Sequence, residues 1–391
     1  MGYILRSHYK NIFFEFQPNS NKNICIILLD WLPSSSPSKK EVMIELEKYW
    51  YATIAPRYKW TRESRWLFLE ESPSKDIQEL LEFSKQWLLY DYYNKQEYDI
   101  SMMKFIIIWV SFWWAVALDL IQTIDEEFFT ILISPLTWFK NHNTKWNEQN
   151  LYSLGNFIKN WFWNAYRFNE IKREELCSWD LFDTQIDKIK EINNNIAIIH
   201  SDNDDSISID SIKEFSSQTQ IKNLTILKSR WHLSYSKWDK KIYDIINQII
   251  LDSHTISIWS IIYKKNDIWN IDLFCVKDIN WDRWFPKWLS ENNEDRENTI
   301  KREIYEEINI SDIKFIQWIQ PFISNYSVYF WNKKQYKTSI YIPATIKWVI
   351  KLDNIEIIDS KRININQILT YINYKWLDQY ITILKEKLNL S

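Results

Sequence analysis

The sequence predicts an α/β chain in two units, the first built on buried parallel strands and the second on antiparallel strands with a charged helix. Three observations carry this. Near-continuous apolar runs at 24–29, 105–110 and 196–199 read as strands covered on both faces, the condition in which parallel sheets are found. Segments with helical periodicity separate them, so helix and strand alternate. Towards the C-terminus, 255–264 and 271–277 alternate with period two around a turn at 265–269, the pattern of an antiparallel pair. With 391 residues, 46% of them hydrophobic, two cores are affordable, and the boundary is expected between 252 and 253.

Taken in order, 11–17 and 23–30 are expected strands, followed by a turn at Asp30-Trp31-Leu32-Pro33 and a Ser-rich loop. A helix is expected over 39–49, a short strand over 51–56, a basic loop over 57–74 and an amphipathic helix over 75–89. A buried strand then meets an apolar helix across 105–117, and a strand follows at 129–136. The aromatic stretch to about 190 has no clear period. Strands are expected at 196–199 and 224–227, and a helix over 236–252. In the second unit a helix starts near Asp295, strands follow at 313–322, 326–331 and 337–343, and a C-terminal helix is expected from Ile365.

Composition narrows the function. A net charge of -3 gives no general case for a nucleic-acid polymer or a membrane surface as partner. The longest apolar run, 105–118, is too short to span a bilayer. The first residues show neither a signal-peptide core nor the myristoylation pattern, since position 6 is Arg. Cys25, Cys177 and Cys275 have no metal-ligand or disulfide spacing, which fits a reducing cytoplasm. The chain holds 24 Trp and 2 Gly, where ordinary usage would give about 27 Gly in this length. Trp stands where turn chemistry asks for Gly. Some genetic codes read UGA as Gly and others as Trp, so many of these Trp are expected to represent Gly in the native protein, and the abundance of Ile, Asn and Lys suits an AT-rich genome.

The most informative stretch is 284–310. Glu303, Glu306 and Glu307 lie at i, i+3 and i+4 and so share one helix face, where like charges repel by roughly a few tenths of a kcal/mol per pair. The bland reading is a solvated acidic face; a divalent cation with oxygen preference would instead relieve the repulsion. The spacing of Trp288, Glu294, Arg302-Glu303, Glu306-Glu307 and Asn309 resembles the Nudix box, with Trp288 and Asn309 where that motif has Gly. Asn is tolerable there because it visits the left-handed conformation at helix ends. The resemblance implies an α/β/α sandwich with a mixed sheet, Mg²⁺ or Mn²⁺ held by Glu303, Glu306 and Glu307, and an Arg302–Glu294 ion pair bracing the loop. Phe285-Pro286-Lys287 resembles the run before the box in the diadenosine-polyphosphate branch. Residues 336–344 resemble the strand that precedes a further acidic segment there, with Glu356 a weaker candidate.

If Trp109 and Trp113 stand for Gly, the run through Val110-Ser111-Phe112 reads as a nucleophile elbow, in which small neighbours let a sharp strand-to-helix turn pack. Read as Trp, these positions would clash. Downstream, Ile199-His200-Ser201-Asp202-Asn203-Asp204 and then Trp231-His232 place an acid and a base in the order Ser, acid, His. The three together resemble the α/β-hydrolase superfamily, which implies a mostly parallel sheet with helices on both faces. It also implies Ser111 as nucleophile, His232 as base, Asp204 as the group that holds the base, and an oxyanion hole from the N–H groups of Phe112 and the Trp31-Leu32 loop. Asp205 is the rival acid; His200 and Asp202 are expected to shape the loop rather than bind metal.

Together these imply a bifunctional hydrolase. One half would be a serine hydrolase of an ester, amide or peptide; the other a pyrophosphohydrolase of a nucleoside diphosphate linked to another group, a small-molecule nucleotide, with Glu306 in a catalytic role. The alternatives are a hydrolase fold kept only for binding or dimerisation, and a Nudix fold that only senses a nucleotide.

Overall fold

The structure, a computed structural model, describes residues 4–19, 23–29, 39–57, 73–84, 88–91, 95–101, 103–110, 117, 120, 128–135, 160, 186–204, 207–228, 232–233, 238–265, 271–278, 283–289, 296–310, 312–316, 319, 321–330, 333–346, 357–372 and 377–388. The chain divides into two compact units, Met1–Ile249 and Ile250–Ser391.

Among the described residues the main sheet of the first unit is mixed and has eight strands. Its chain order begins with β1 (Leu5–Tyr9), β2 (Ile12–Gln17) and β3 (Ile24–Leu29), then helix α1 (Lys40–Glu47) and β4 (Ala52–Arg57). Helix α2 (Pro73–Ser84) and a separate hairpin, β5 (Leu88–Asp91) and β6 (Gln96–Asp99), precede β7 (Lys104–Val110) and β8 (Phe129–Ile133). Helix α3 (Ile186–Ile192), β9 (Ile196–Ser201), α4 (Ile209–Thr219), β10 (Asn223–Leu227) and α5 (Lys240–Ser253) follow. The spatial order is β1-β2-β4-β3-β7-β8-β9-β10. Pairing is antiparallel at the β1, β2 and β4 edge and parallel from β4 through β10.

Burial explains the layering. Cys25, Ile27 and Leu29 join Phe105, Ile107 and Trp109 in one apolar cluster with Ile77, Leu80 and Leu81 of α2 and Ile212 and Phe215 of α4. The alternate residues Ile24, Ile26, Leu28, Ile106 and Ile108 are equally buried, so both faces of these strands are covered. At about 1.5–3 kcal/mol per fully buried aliphatic side chain, this two-sided burial is the main force holding the parallel strands. On the α1 and α5 side, the Tyr51 hydroxyl donates to Asn247 at 2.7 Å and that of Tyr49 to Asp244 at 2.6 Å.

The second unit is organised on β11 (His254–Lys265). It pairs antiparallel with β12 (Ile271–Asp278) and β14 (Lys287–Leu289), and parallel with β17 (Lys333–Ile346) over His254↔Tyr336 to Ile262↔Ala344. Strands β13 (Arg283–Trp284) and β18 (Ile357–Asn364) extend the β12 side, and β15 (Ile313–Phe315) and β16 (Phe322–Phe330) flank β17. One sheet face packs Trp259, Ile261 and Tyr341 against Leu377, Tyr380, Ile381 and Leu384 of α7 (Leu377–Lys387). Helix α6 (Arg296–Ile308) buries Ile300 and Ile304 and packs against β11 and β14.

The fold class is therefore the expected one: a mostly parallel sheet with helices, then a mixed sheet. Several elements differ. The expected helix over 75–89 ends at Ser84, and Leu88–Asp91 is a strand. The expected helix from Ile365 starts only at Leu377, and Ile368–Thr370 before it is a single 3-10 turn. Strand β1 and helix α4 were not expected.

Candidate functional site

Ligand sites in open α/β sheets form beyond the carboxyl ends of the parallel strands, and the expected acid and base sit there. Strand β9 ends at Ser201, and the turn that follows is tied to the neighbouring strand by the Asp202 N–H, which donates to Leu227 O at 3.0 Å. Asp204 follows with its carboxylate fully buried, accepting the Ile207 N–H on Oδ1 at 2.9 Å. His232, beyond β10, points Nδ1 at Asp204 Oδ2 at 3.0 Å and at Oδ1 at 3.2 Å, with 13% of its side chain exposed. An ionised carboxylate only accepts, so Nδ1 carries the hydrogen and Nε2 is left with a lone pair. That is the tautomer a general base requires. The pair joins residues 28 positions apart.

His200, on β9, is fully buried behind the same carboxylate, its Nδ1 3.9 Å from Asp204 Oδ2. Its Nε2 lies 3.2 Å from Ile207 O and, facing a carbonyl, donates. Ile207 is thus held by its N–H on Asp204 and by its C=O on His200, which closes the acid loop. Burial is the largest influence on the His200 imidazole and lowers its pKa from the usual 6.5; the Asp204 charge opposes this only in part. His200 shapes the loop, and Asp202 is exposed.

On the other side of β9, Ser134 directly follows β8. Its N–H donates to Ile199 O at 2.9 Å, and its Oγ accepts the Leu233 N–H at 3.2 Å. Ser134 is fully buried with φ 44°, a left-handed conformation that costs a non-Gly residue about 1–2 kcal/mol. Sequence reasoning missed it. Its only local signal is a Ser-Pro step after an apolar strand.

Ser111, Phe112, Leu32 and Asp205 lie outside the described residues. Trp109, two positions before Ser111, is fully buried at the end of β7. Its indole lies in the apolar core, with the N–H lacking any hydrogen-bond partner, whereas Trp113 and the turn in which the clash is expected lie outside the described residues. A buried donor left unmatched costs about 1–3 kcal/mol.

In the second unit α6 carries the acidic cluster. Arg302 Nη1 donates to Glu303 Oε1 at 2.6 Å and to Glu306 Oε2 at 3.2 Å, so one cation gathers two of the three expected carboxylates. Carboxylate oxygens are the hard donors that Mg²⁺ or Mn²⁺ takes, but Arg302 engages both of these carboxylates in the structure. Glu294 and Glu356, and the side chains of Glu307 and Trp288, lie outside the described residues, so the expected Arg302–Glu294 pair does too. Among the described residues no three acidic, His or Cys side chains are gathered into a metal site. Asn309 has φ 53° and its N–H donates to Tyr305 O at 2.9 Å, the left-handed helix ending expected of it. Trp288 lies in β14 opposite Ile258 of β11.

No family model and no curated protein matches the chain. Among solved structures, the Pyrococcus furiosus esterase Pf2001 covers 64% of this chain and 92% of its own, at 12% identity and a TM-score of 0.43. Est1E from Butyrivibrio proteoclasticus covers 64% and 98%, at 11% identity and a TM-score of 0.41. The C. elegans Ap4A hydrolase binary complex covers 34% and 98%, at 14% identity and a TM-score of 0.29. Likeness of this degree describes chain path alone, and the chemistry rests on the geometry above. Among the described residues no helix is long and apolar enough to cross a membrane.

Proposed function

We propose that the chain is a cytoplasmic two-domain hydrolase, residues 1–252 a serine hydrolase and residues 253–391 a Nudix pyrophosphohydrolase. The observation that supports the first half best is the buried Asp204 carboxylate on His232 Nδ1 at 3.0 Å. With Nδ1–H held there, His232 Nε2 accepts the Ser111 hydroxyl proton as Oγ attacks an acyl carbon, and Asp204 stabilises the imidazolium that forms. The proton passes to the departing alkoxide or amine. Water then enters by the same route and frees the acid. The N–H of Phe112 and one from the Trp31-Leu32 loop stabilise the tetrahedral oxyanion.

In the second half Glu303, Glu306 and Glu307 would hold Mg²⁺ or Mn²⁺, which when bound neutralises a substrate diphosphate and helps position water. The substrate is a nucleoside diphosphate linked to another group, such as a dinucleoside polyphosphate. Arg302 would hold Glu303 and Glu306 in register on the helix face.

Many Trp stand for Gly in this reading, Trp109 and Trp288 among them. The unmatched indole N–H of Trp109 supports this, as does Trp50, which takes φ 68°. Intact mass and peptide sequencing of the native protein decide it, and Trp found at 109 and 288 rejects it. For the chemistry, a fluorophosphonate probe is expected to label the wild type but not Ser111→Ala, and Asp204→Asn is expected to slow labelling by at least about a hundredfold. A Gly-corrected protein that takes no label would leave the first domain a binding or dimerisation module.

A further inference from the structure

We propose that Ser134 is a positioning residue for the base: its hydroxyl anchors the backbone directly after His232 and so keeps the imidazole on Asp204. This rests on His232 acting as the base.

Two observations meet at Ser134. It holds a left-handed backbone with φ 44°, in a place where glycine would fit without strain. Strained backbone of this kind persists where surrounding interactions demand it, and it concentrates at functional sites. The side chain supplies the demand. Ser134 Oγ accepts the N–H of Leu233 at 3.2 Å, a bond between residues 99 positions apart. Both residues are buried, Ser134 at 0% and Leu233 at 1% exposure, so water cannot replace the acceptor.

The placement gives the bond its consequence. Ser134 is itself fixed, because its N–H donates to Ile199 O at 2.9 Å on β9, the strand that leads into Asp204. The acid and the base are therefore referred to the same strand by two routes. Asp204 follows β9 along the chain, and His232 reaches it through Leu233 and Ser134. The carboxylate restrains the ring at Nδ1, and the Ser134 hydroxyl adds a restraint on the backbone directly after it. Glycine would give the same turn without the anchor.

The experiment compares full-length wild type with Ser134→Gly and Ser134→Ala. Three readouts are followed: steady-state hydrolysis of a p-nitrophenyl ester, thermal midpoint, and the proton NMR signal of the hydrogen-bonded His232 Nδ1–H. Positioning predicts that Ser134→Gly loses about tenfold in kcat with KM little changed, while its thermal midpoint stays close to that of the wild type, because the relieved left-handed strain offsets the unmatched Leu233 N–H. The Nδ1–H signal broadens or vanishes in both variants. Wild-type kcat and an unchanged Nδ1–H signal in Ser134→Gly would overturn the proposal. So would a loss of rate that only tracks loss of folded protein. If the wild type itself neither turns over the ester nor reacts with a fluorophosphonate, the serine-hydrolase reading fails. The anchor is then decided by hydrogen exchange at the Leu233 amide: faster exchange in Ser134→Gly supports it, and an unchanged rate rejects it.

Discussion

His200 is held at 0% exposure behind a carboxylate, with Nε2–H committed to Ile207 O and Nδ1 without a hydrogen-bond partner. Its pKa in the folded chain lies below the ordinary 6.5, first because burial disfavours the charged ring. The sign of the pH effect follows. Well above the ordinary 6.5 the ring is neutral folded and unfolded, and titration contributes nothing. As pH falls through 6.5 the unfolded chain takes up a proton that the folded chain refuses, so stability falls with pH, by up to about 1.4 kcal/mol per unit, until the folded ring titrates. His200→Gln can still reach Ile207 O with its amide N–H but has no charge to gain. Chemical denaturation between pH 7.5 and 5.5 should therefore show a steeper loss for wild type than for His200→Gln. Parallel curves would mean that His200 is not the group responsible.

At the scale of elements, helix ends carry the test of the composition. Helix α1 closes with Trp50 N–H on Glu47 O at 2.8 Å and Tyr51 N–H on Leu46 O at 3.4 Å, a Schellman ending with Trp50 at φ 68° in the position that favours Gly. Trp50→Gly is expected to stabilise the chain by about 1 kcal/mol, the left-handed penalty of a bulky residue outweighing the added freedom of Gly in the unfolded state. Trp→Gly at a well-packed native Trp should instead lose at least about 3–5 kcal/mol. Urea midpoints separate the two by sign. The same scale shows what was legible in the sequence. Buried strands such as Ile24–Leu29 and Ile196–Ser201 announce themselves because both faces are apolar. Helix α4 carries a local start signal, Ser208 Oγ accepting the Asp210 N–H with Ile212 and Phe215 buried behind it, but only a short stretch separates it from the acid loop. Strand β18 was hidden because Asp359 to Arg362 is a polar run without apolar alternation, while its partner β12 lies far away along the chain. Strand β1 turns into β2 through Lys10 at φ 47°, a turn without the Gly or Asn signal at that residue. In the site, the pairing of Asp204 with His232 was legible through the resemblance their order carries, while Ser111 lies outside the described residues. Ser134 was not, since its partner is 99 residues distant and nothing local marks it.

For the whole molecule, the two units each have their own apolar cluster, and no residue proposed for one site belongs to the other. Substitutions that share no partner tend to add, whereas those sharing one do not. The two activities should therefore be separable within the intact chain. Asp204→Asn is expected to abolish most ester hydrolysis and leave Mg²⁺-dependent release of phosphate products from a dinucleoside polyphosphate within about twofold of wild type. Glu303→Gln with Glu306→Gln should do the reverse, because the change that removes both charges meeting on Arg302 also turns two carboxylates proposed for the cation into neutral amides. Isothermal titration with Mg²⁺ then reads the second site without any turnover: weaker binding in the double variant ties the ion to this helix face. Equal binding in wild type and variant would assign the acidic face to solvent and helix pairing alone, leaving the first unit's chemistry untouched.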